Sequence, residues 1–357
     1  MSKLRVIVGL SGGVDSAVSA LLLKKAGYEV IGVSMKIWEG SYSGSKKRHG
    51  CYGPEELEDI EDARKVCEIL NIPFYEIDLV NEYKKIVLEY FRNEYLKGRT
   101  PNPCIRCNQM IKFKALIEKI ELIGIEFDYF ATGHYARVEF NPQSNRFILK
   151  KGIDERKDQS YFLFGLTQKQ LSKILLPLGT YRKEEVRRIA REAGLDISDK
   201  EESQDFYGGD YRELLNVKSS SGPILDKYGK VLGKHRGIWN YTIGQRKGLG
   251  IQSGKPLYVI DIDPDRNAII VGEERELYRE EFLATELNWI SIEELKEPID
   301  VKVKIRYKSN ETDCIVIPLS EEMVLVRFKE PQRAVTPGQA SVFYDGDVVV
   351  GGGIIKD

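Results

Sequence analysis

The stretch Leu4–Ser16, LRVIVGLSGGVDS, decides the fold. Its apolar run Leu4–Leu10 predicts a buried strand, and Val14–Ala26 has the pattern of a helix. Two glycines at the junction let the backbone turn tightly and approach an anion. The first N–H groups of the helix face that anion, and two serines add hydroxyl donors. The stretch therefore predicts a phosphate-binding loop at the first strand-to-helix turn of an α/β domain.

The same alternation continues along the first half of the chain. Strands are expected at Glu29–Ser34 and Phe74–Asp78, and helices at Pro54–Leu70 and Glu82–Lys97. This order predicts right-handed βαβ units around a parallel sheet, with ligands at the carboxyl ends of the strands.

A later helix is expected to have Thr180 as its N-cap and to end at Gly194. Two interpretations of its basic residues remain open, a solvated face balanced by glutamates or a contact with a polyanion. These residues are Arg182, Lys183, Arg187, Arg188 and Arg191.

After Gly208 the sequence pattern changes to short alternating runs separated by Gly, Pro and Asp, which indicates hairpins. Strands of a small barrel or sandwich are expected at Val301–Ile305, Thr312–Ile317, Glu322–Phe328 and Ala340–Val350. Domain boundaries are predicted at 1–207, 208–283 and 284–357. The polar segment 40–50 is predicted to be a mobile lid over the site of the first domain.

Composition narrows the class of protein. The chain has 357 residues, a formal charge of -1 and five cysteines. The length suits two or three domains of ~100–200 residues, and the charge shows no bulk basicity. No apolar run approaches a membrane span or a signal peptide, which indicates a cytoplasmic protein. Sparse, odd-numbered cysteines in a reducing compartment favour metal, redox or nucleophilic thiols over disulfides.

The loop lacks the lysine of GxxxxGK[ST] and is not GxGxxG. Its SGGxDS pattern, Ser11–Ser16, resembles the PP-loop of ATP pyrophosphatases, which cleave ATP between the α and β phosphates with Mg²⁺. Asp15 is then expected to reach magnesium or pyrophosphate through water. The loop indicates adenylating chemistry but leaves the acceptor open.

Six further motifs stand in one order along the chain. They are Gly98–Asn108 (GRTPNPCIRCN), Ile111–Phe113, Thr132–Ala136 (TGHYA), Lys157–Leu163 (KDQSYFL), Tyr241–Gly250 and Arg333–Ala340. Together they resemble the tRNA-specific 2-thiouridylases, the MnmA/TrmU family, from the first strand to Gly353. The resemblance implies a PP-loop (adenine nucleotide alpha-hydrolase-like) domain, a small, mostly-β central domain and a C-terminal β-barrel. It also implies a reaction in which ATP adenylates the C2 oxygen of the wobble uridine, releasing pyrophosphate, and a sulfur nucleophile then displaces AMP.

The resemblance implies which residues of this sequence bind ATP and tRNA. Those expected to bind ATP are Gly9, Leu10, Ser11, Gly12, Gly13, Val14, Asp15, Ser16, Met35 and Gly133. Those expected to contact tRNA are Asn102, Pro103, Cys104, His134, Lys157, Asp158, Gln159, Arg306, Tyr307 and Gln339.

Some of these positions have a plainer interpretation. His134 also fits a satisfied core imidazole, Arg306-Tyr307 an exposed strand pair, and Arg246-Lys247 either a phosphate contact or a hairpin turn. The two prolines are expected to keep Asn102–Cys104 extended and non-helical, so that the segment presents backbone to a base.

The sequence departs from the family at the sulfur-handling residues. Cys107 stands at the nucleophile position, but Cys104 replaces the usual aspartate and Asp205 replaces the usual persulfide cysteine. One explanation is that the paired thiols perform both steps, with one cysteine carrying the persulfide and its neighbour resolving it as a disulfide, because a CxxC motif lowers a thiol pKa. The other is that Cys104, Cys107 and Asp205 bind a [4Fe-4S] cluster that delivers sulfide. A zinc site lacks a second ligand pair.

The remaining cysteines divide into two groups. Cys51 is either a further participant or a bystander, whereas Cys67 and Cys314 are expected to be small core residues. The expected partners are tRNA and a sulfur-donor protein or sulfide, with no membrane or DNA. Alternatives to 2-thiolation are another PP-loop thiolase acting on a different base and a non-catalytic tRNA- or iron-sulfur-binding homologue.

Overall fold

A computed structural model describes residues 3–40, 50–195, 205–217 and 220–356. The predicted lid at 40–50 therefore lies outside the described residues over positions 41–49. The side chain of Asp205 is also outside them, although its backbone is described.

Nineteen strands and nine α-helices occur in the described residues. The strands are β1 (Arg5–Gly9), β2 (Glu29–Lys36), β3 (Gly50–Tyr52), β4 (Phe74–Asp78), β5 (Tyr129–Ala131), β6 (Ala136–Asn141), β7 (Arg146–Lys151), β8 (Ile174–Leu175), β9 (Asp205–Tyr207), β10 (Gly222–Asp226), β11 (Val231–His235), β12 (Tyr258–Asp263), β13 (Ala268–Gly272), β14 (Tyr278–Trp289), β15 (Ile299–Lys304), β16 (Thr312–Ser320), β17 (Met323–Arg333), β18 (Ala340–Asp345) and β19 (Val348–Ile355). The helices are α1 (Val14–Lys25), α2 (Glu56–Ile69), α3 (Val80–Tyr83), α4 (Glu89–Leu96), α5 (Pro103–Arg106), α6 (Leu116–Leu122), α7 (Gln168–Leu171), α8 (Lys183–Glu192) and α9 (Arg212–Leu215). Two segments are π-helical, Lys84–Leu88 and Cys107–Ala115.

A five-stranded parallel sheet organises the first compact unit, which comprises 1–87, 104–210 and 346–349. The strand order is β4-β2-β1-β5-β8. The chain leaves β1 toward one edge through β2 and β4, and later fills the other side with β5 and β8. The carboxyl ends of β1 and β5 thus meet where the strand order reverses, which is the usual ligand position in open α/β sheets. The predicted parallel sheet is confirmed.

The N-terminus of α8 differs from the prediction. Thr180 closes a 3₁₀ turn, Pro177–Thr180, and the helix N-cap is Arg182, whose backbone N–H donates to the Glu185 carboxylate at 2.8 Å. The expectation for Thr180 is therefore wrong, because the N-cap lies two residues further on, at Arg182, where the Glu185 side chain satisfies the backbone N–H. The helix ends before Gly194, which has a φ of +68° as a C-terminal glycine requires.

The second compact unit comprises 88–103, 211–345 and 350–357. It holds a four-stranded sheet, β11-β10-β13-β12, and an antiparallel barrel of β14, β17, β16, β15, β18 and β19 that closes through pairing of β14 with β19. The expected single strand Ala340–Val350 is wrong. It is a hairpin that turns at Gly346, where φ is +59°.

No helix in the described ranges is long and apolar enough to cross a membrane.

Candidate active site

The glycine loop after β1 is braced by a serine of its own helix. The Ser16 hydroxyl accepts from the Ser11 N–H at 3.1 Å and donates to the Gly13 carbonyl at 3.0 Å. Gly13 is the N-cap of α1, and no described side chain caps the helix there. The first N–H groups of a 12-residue helix are thus left to an anion.

Two glycines allow the loop to pack closely against its neighbours at the end of the sheet. Gly12 has a φ of +67°, and a Cβ there would collide with the backbone of Asp59 in α2. A Cβ on Gly133, which follows β5, would lie 2.7 Å from the Ser16 nitrogen. Met35 lies near the carboxyl end of β2. The residues expected to bind ATP therefore converge at the carboxyl ends of β1, β2 and β5.

A lysine for which the sequence left two interpretations open, a solvated face or a polyanion contact, lies beside this loop. Lys183, the first residue of α8, is 7% exposed, and its Nζ lies 2.8 Å from each carboxylate oxygen of Asp15. The Tyr135 hydroxyl donates to Asp15 Oδ1 at 2.7 Å. The solvated-face interpretation is therefore wrong for Lys183, since its ammonium is buried against the first turn of α1. Helical spacing alone offered no signal for this, because the partner comes from a distant helix.

The cysteine pair lies on helical backbone. Pro103 is the first residue of α5, and Cys104 follows it. The expectation of an extended loop at Pro103 and Cys104 is wrong, because the first helical position needs no N–H and suits the fixed φ of proline. Cys107 begins the π-helical segment Cys107–Ala115. Such segments are rare and occur frequently at functional sites.

The thiols share one environment. Burial raises the pKa of Cys107 to about 11, with the Lys112 ammonium acting to lower it and Cys51 to raise it further. The expectation that the CxxC motif lowers the thiol pKa is therefore wrong for Cys107. The buried Tyr83 has a pKa well above its usual value, first through burial and then through the negative charges of Cys107, Cys51 and Cys104. Cys51 thus lies near the pair.

The described side chains do not form a metal-binding set. No three of their His, Cys, Asp or Glu side chains are grouped to hold a metal ion. The backbone of Asp205 pairs with Gly50 at the start of β3. In the described part of the chain, no third ligand accompanies Cys104 and Cys107, so these two thiols alone do not make up an iron-sulfur site.

Comparisons with known proteins match the whole chain. A family model described as "tRNA methyl transferase HUP domain" matches residues 4–207, a PRC-barrel domain of the same series matches 214–273, and "Aminomethyltransferase beta-barrel domain" matches 279–355. The protein is 51% identical to tRNA-specific 2-thiouridylase MnmA 1 of Caldanaerobacter subterraneus subsp. tengcongensis, covering 99% of this chain and 98% of that one. It is 48% identical to tRNA-specific 2-thiouridylase MnmA of Acetivibrio thermocellus, with 100% of both chains covered.

The chain belongs to the tRNA-specific 2-thiouridylase family. This confirms the resemblance seen in the motifs, and the family's three-domain pattern agrees with the parallel sheet and closed barrel described above.

Two residues carried over from the family as tRNA contacts shape the loop beside the glycine turn. Asp158 is 7% exposed and accepts from the Gly152 N–H at 3.0 Å and from the Ser160 hydroxyl at 2.9 Å. Gln159 Oε1 accepts from the Tyr135 N–H at 2.9 Å. The positions named for tRNA contact thus also fix the backbone that presents Tyr135 to Asp15.

His134 is buried and hydrogen-bonded. Its Nδ1 lies 2.8 Å from the Thr132 hydroxyl, and burial, together with the Lys112 charge, lowers its pKa to about 3. The imidazole is therefore neutral near pH 7, as the satisfied-core interpretation requires. The Lys112 charge acts to lower the pKa of both His134 and Cys107. The sequence identified Lys112 as part of the Ile111–Phe113 motif but did not predict this role.

In the second unit, Arg306 and Tyr307 lie in the bend after β15, so the strand-pair interpretation is wrong. The Arg306 guanidinium donates to the Ala334 carbonyl, and Gln339 Nε2 donates to the Thr100 carbonyl at 2.7 Å. In this unit, too, the side chains support local backbone.

Three remaining predictions concern surface and core. Arg246 and Lys247 are exposed in a loop, which suits either of their interpretations. Cys67 and Cys314 are 1% and 0% exposed, which confirms them as core residues.

Proposed function

We propose that the protein is an ATP-dependent tRNA-uridine 2-sulfurtransferase that acts on the wobble uridine. The observation that supports this most directly is the loop Ser11–Ser16, whose uncapped helix start faces the carboxyl end of the sheet in the same compact unit as the Cys104–Cys107 pair. The curated relatives named as tRNA-specific 2-thiouridylases span the full chain and support the same activity.

The first step consumes ATP, with Mg²⁺ as the expected metal. Gly12, Gly13 and the first N–H groups of α1 bind the departing pyrophosphate, because backbone donors and the positive helix end stabilise developing negative charge. Met35 and Gly133 border the nucleotide. The C2 oxygen of uridine is a poor leaving group until it bears AMP, so adenylation precedes sulfur transfer.

The second step uses Cys107 and Cys104. One thiol receives a persulfide sulfur from a sulfur-donor protein, and that sulfur attacks C2 as AMP leaves. The neighbouring thiol then attacks the protein-bound sulfur, which releases 2-thiouridine and leaves a Cys104–Cys107 disulfide. A cellular dithiol reductant must reopen the disulfide. Delivery of sulfide by a cluster on Cys104, Cys107 and Asp205 remains the alternative prediction. Iron and sulfide analysis after anaerobic purification tests it, because persulfide-driven thiolation by iron-free protein contradicts it.

Proposed tRNA contacts complete the assignment. The positions at Asn102, Pro103, Lys157, Arg306 and Gln339 are those that the family resemblance places against tRNA. The hydrogen bonds of Arg306 and Gln339 to backbone carbonyls give these two a second role in support of the loops around them.

The test separates the two steps. We expect Cys107→Ser to abolish 2-thiouridine formation while tRNA-dependent pyrophosphate release continues, because adenylation needs no thiol. Cys67→Ala, at a buried core position, is the matched control. It is expected to retain both 2-thiouridine formation and pyrophosphate release. Nucleoside mass spectrometry identifies the product.

Two results would overturn the assignment. Thiolation of a cytidine or of a uridine elsewhere in tRNA identifies a different thiolase. Absence of tRNA-dependent pyrophosphate release identifies a non-catalytic binding protein.

A further inference from the structure

The ion pair of Lys183 with Asp15 is a described feature that the proposed chemistry does not yet use. Lys183 comes from α8, far along the chain from the glycine loop, and its side chain is 9% exposed while that of Asp15 is 28% exposed. The Lys183 Nζ also lies 5.9 Å from the centre of the Tyr135 ring. The ammonium is thus enclosed by the two loops that border the nucleotide position.

The charge of the glycine loop explains why a lysine is needed there. The segment Leu10–Ser16 contains one acidic residue, Asp15, and no basic one. A helix N-terminus supplies only about half a positive charge. Pyrophosphate leaves with several negative charges, and Asp15 adds another. In nucleotide-binding loops that contain their own lysine, that side chain reaches the terminal phosphates.

We infer that Lys183 is the cation that binds the pyrophosphate portion of ATP in this site and stabilises it as it leaves. Asp15 and Tyr135 are positioning residues that hold the ammonium at the start of α1. An ammonium has three donors, so Lys183 can keep one hydrogen bond to Asp15 while donating to phosphate oxygens. The inference rests on the proposed function only in assigning ATP as the substrate.

A different role is that the ion pair simply ties α8 to α1. In that case its loss lowers stability and affects all nucleotides equally. If Lys183 binds pyrophosphate, its loss weakens the binding of ATP and of pyrophosphate. The binding of AMP is unaffected, because AMP lacks the β and γ phosphates. The ratio of ATP to AMP affinity therefore distinguishes a ligand contact from a structural contact.

The experiment measures binding of ATP, pyrophosphate and AMP, each with Mg²⁺, to the full-length protein by titration calorimetry. For Lys183→Met we expect about 10- to 100-fold weaker binding of ATP and pyrophosphate, the effect typical of losing charge-assisted hydrogen bonds, with AMP within about twofold of wild type. Lys183→Arg is expected to recover part of the loss. Arg188→Met is the matched control, because Arg188 is exposed on the same helix.

An equal loss for all three ligands, or no loss for pyrophosphate, overturns the inference. Should Lys183→Met fail to fold, Lys183→Gln gives the same comparison, because its amide still donates to Asp15. These measurements need no tRNA. A wild-type protein that binds pyrophosphate through Lys183 but never thiolates tRNA would therefore refute the proposed function and leave the inference intact.

Discussion

The thiol of Cys107 is held protonated by its surroundings. Its pKa of about 11 means that about one molecule in a thousand carries the thiolate at pH 8. A raised thiol pKa contributes stability below the unfolded value near 8.5, and that contribution is lost as the pH rises toward 11. The free protein thus holds its proposed nucleophile in an unreactive form.

We expect the alkylation rate of Cys107 to rise about tenfold per pH unit from pH 8 toward 11, because only the thiolate reacts. Lys112→Met removes a charge that lowers this pKa, so its rate at pH 9 should fall about three- to tenfold. Lys114→Met, at an exposed lysine of the same segment, should change it less than about twofold. Peptide mass spectrometry measures the rates, and a plateau already at pH 7 would contradict the assignment.

Lys183 marks where residue-level prediction from sequence stops. The glycines and serines of the loop could be recognised from the sequence because they act within one short motif. Lys183 lies among Arg182, Arg187 and Arg188 and looks like one of many surface charges. Only the packing of α8 against α1 shows that its side chain turns inward.

The turn into α1 is an element closely constrained by its neighbours. Gly12→Ala meets both a left-handed backbone and the backbone of Asp59. We expect a loss of about 3 kcal/mol or more in the free energy of unfolding, from the strained φ and overpacking together, and a loss of ATP binding.

Gly27→Ala is the matched control for this substitution. Its φ is also positive, at +93°, but no atom of the described residues lies within 4 Å of an added Cβ. A loss of only about 1–2 kcal/mol with normal ATP binding is expected. Urea unfolding measures both variants, and equal losses would show that α2 does not shape the loop.

Elements with strong local patterns were predictable, and others were not. β1, β4 and α1 follow the sequence prediction within one residue because the pattern of their own residues marks them. The Ala340–Val350 hairpin was missed although its two turn residues, Gly346-Asp347, are a recognisable hairpin signal. The π-helical start at Cys107 has no comparable signal, since a shifted hydrogen-bond register depends on tertiary packing.

At the scale of the whole molecule, the compact units do not follow simple cuts in the chain. Residues 88–103 belong to the second unit, where Tyr95 stacks on Tyr211 at 5.1 Å and the Thr100 N–H donates to the Pro337 carbonyl at 2.8 Å. Residues 346–349 belong to the first unit, where Asp347 lies 2.7 Å from Arg137 and Val348 pairs with Lys150.

We therefore expect a 1–207 fragment to be far more sensitive to protease than the full chain. It keeps the segment 88–103 without its partners and lacks 346–349. Co-expression with 208–357 should restore resistance, which controls for the break in the chain. A 1–207 fragment that resists protease as well as the intact protein would contradict this expectation.

The placement of residues 346–349 also bears on how the protein is made. Synthesis runs from the N-terminus, and domains generally begin to fold as they emerge. The glycine loop, α1 and most of the parallel sheet leave the ribosome early, but their unit gains its last segment only when translation is nearly finished. A ribosome that stalls within the barrel would leave a nascent chain whose first unit has every proposed catalytic residue and still lacks a piece of its own structure.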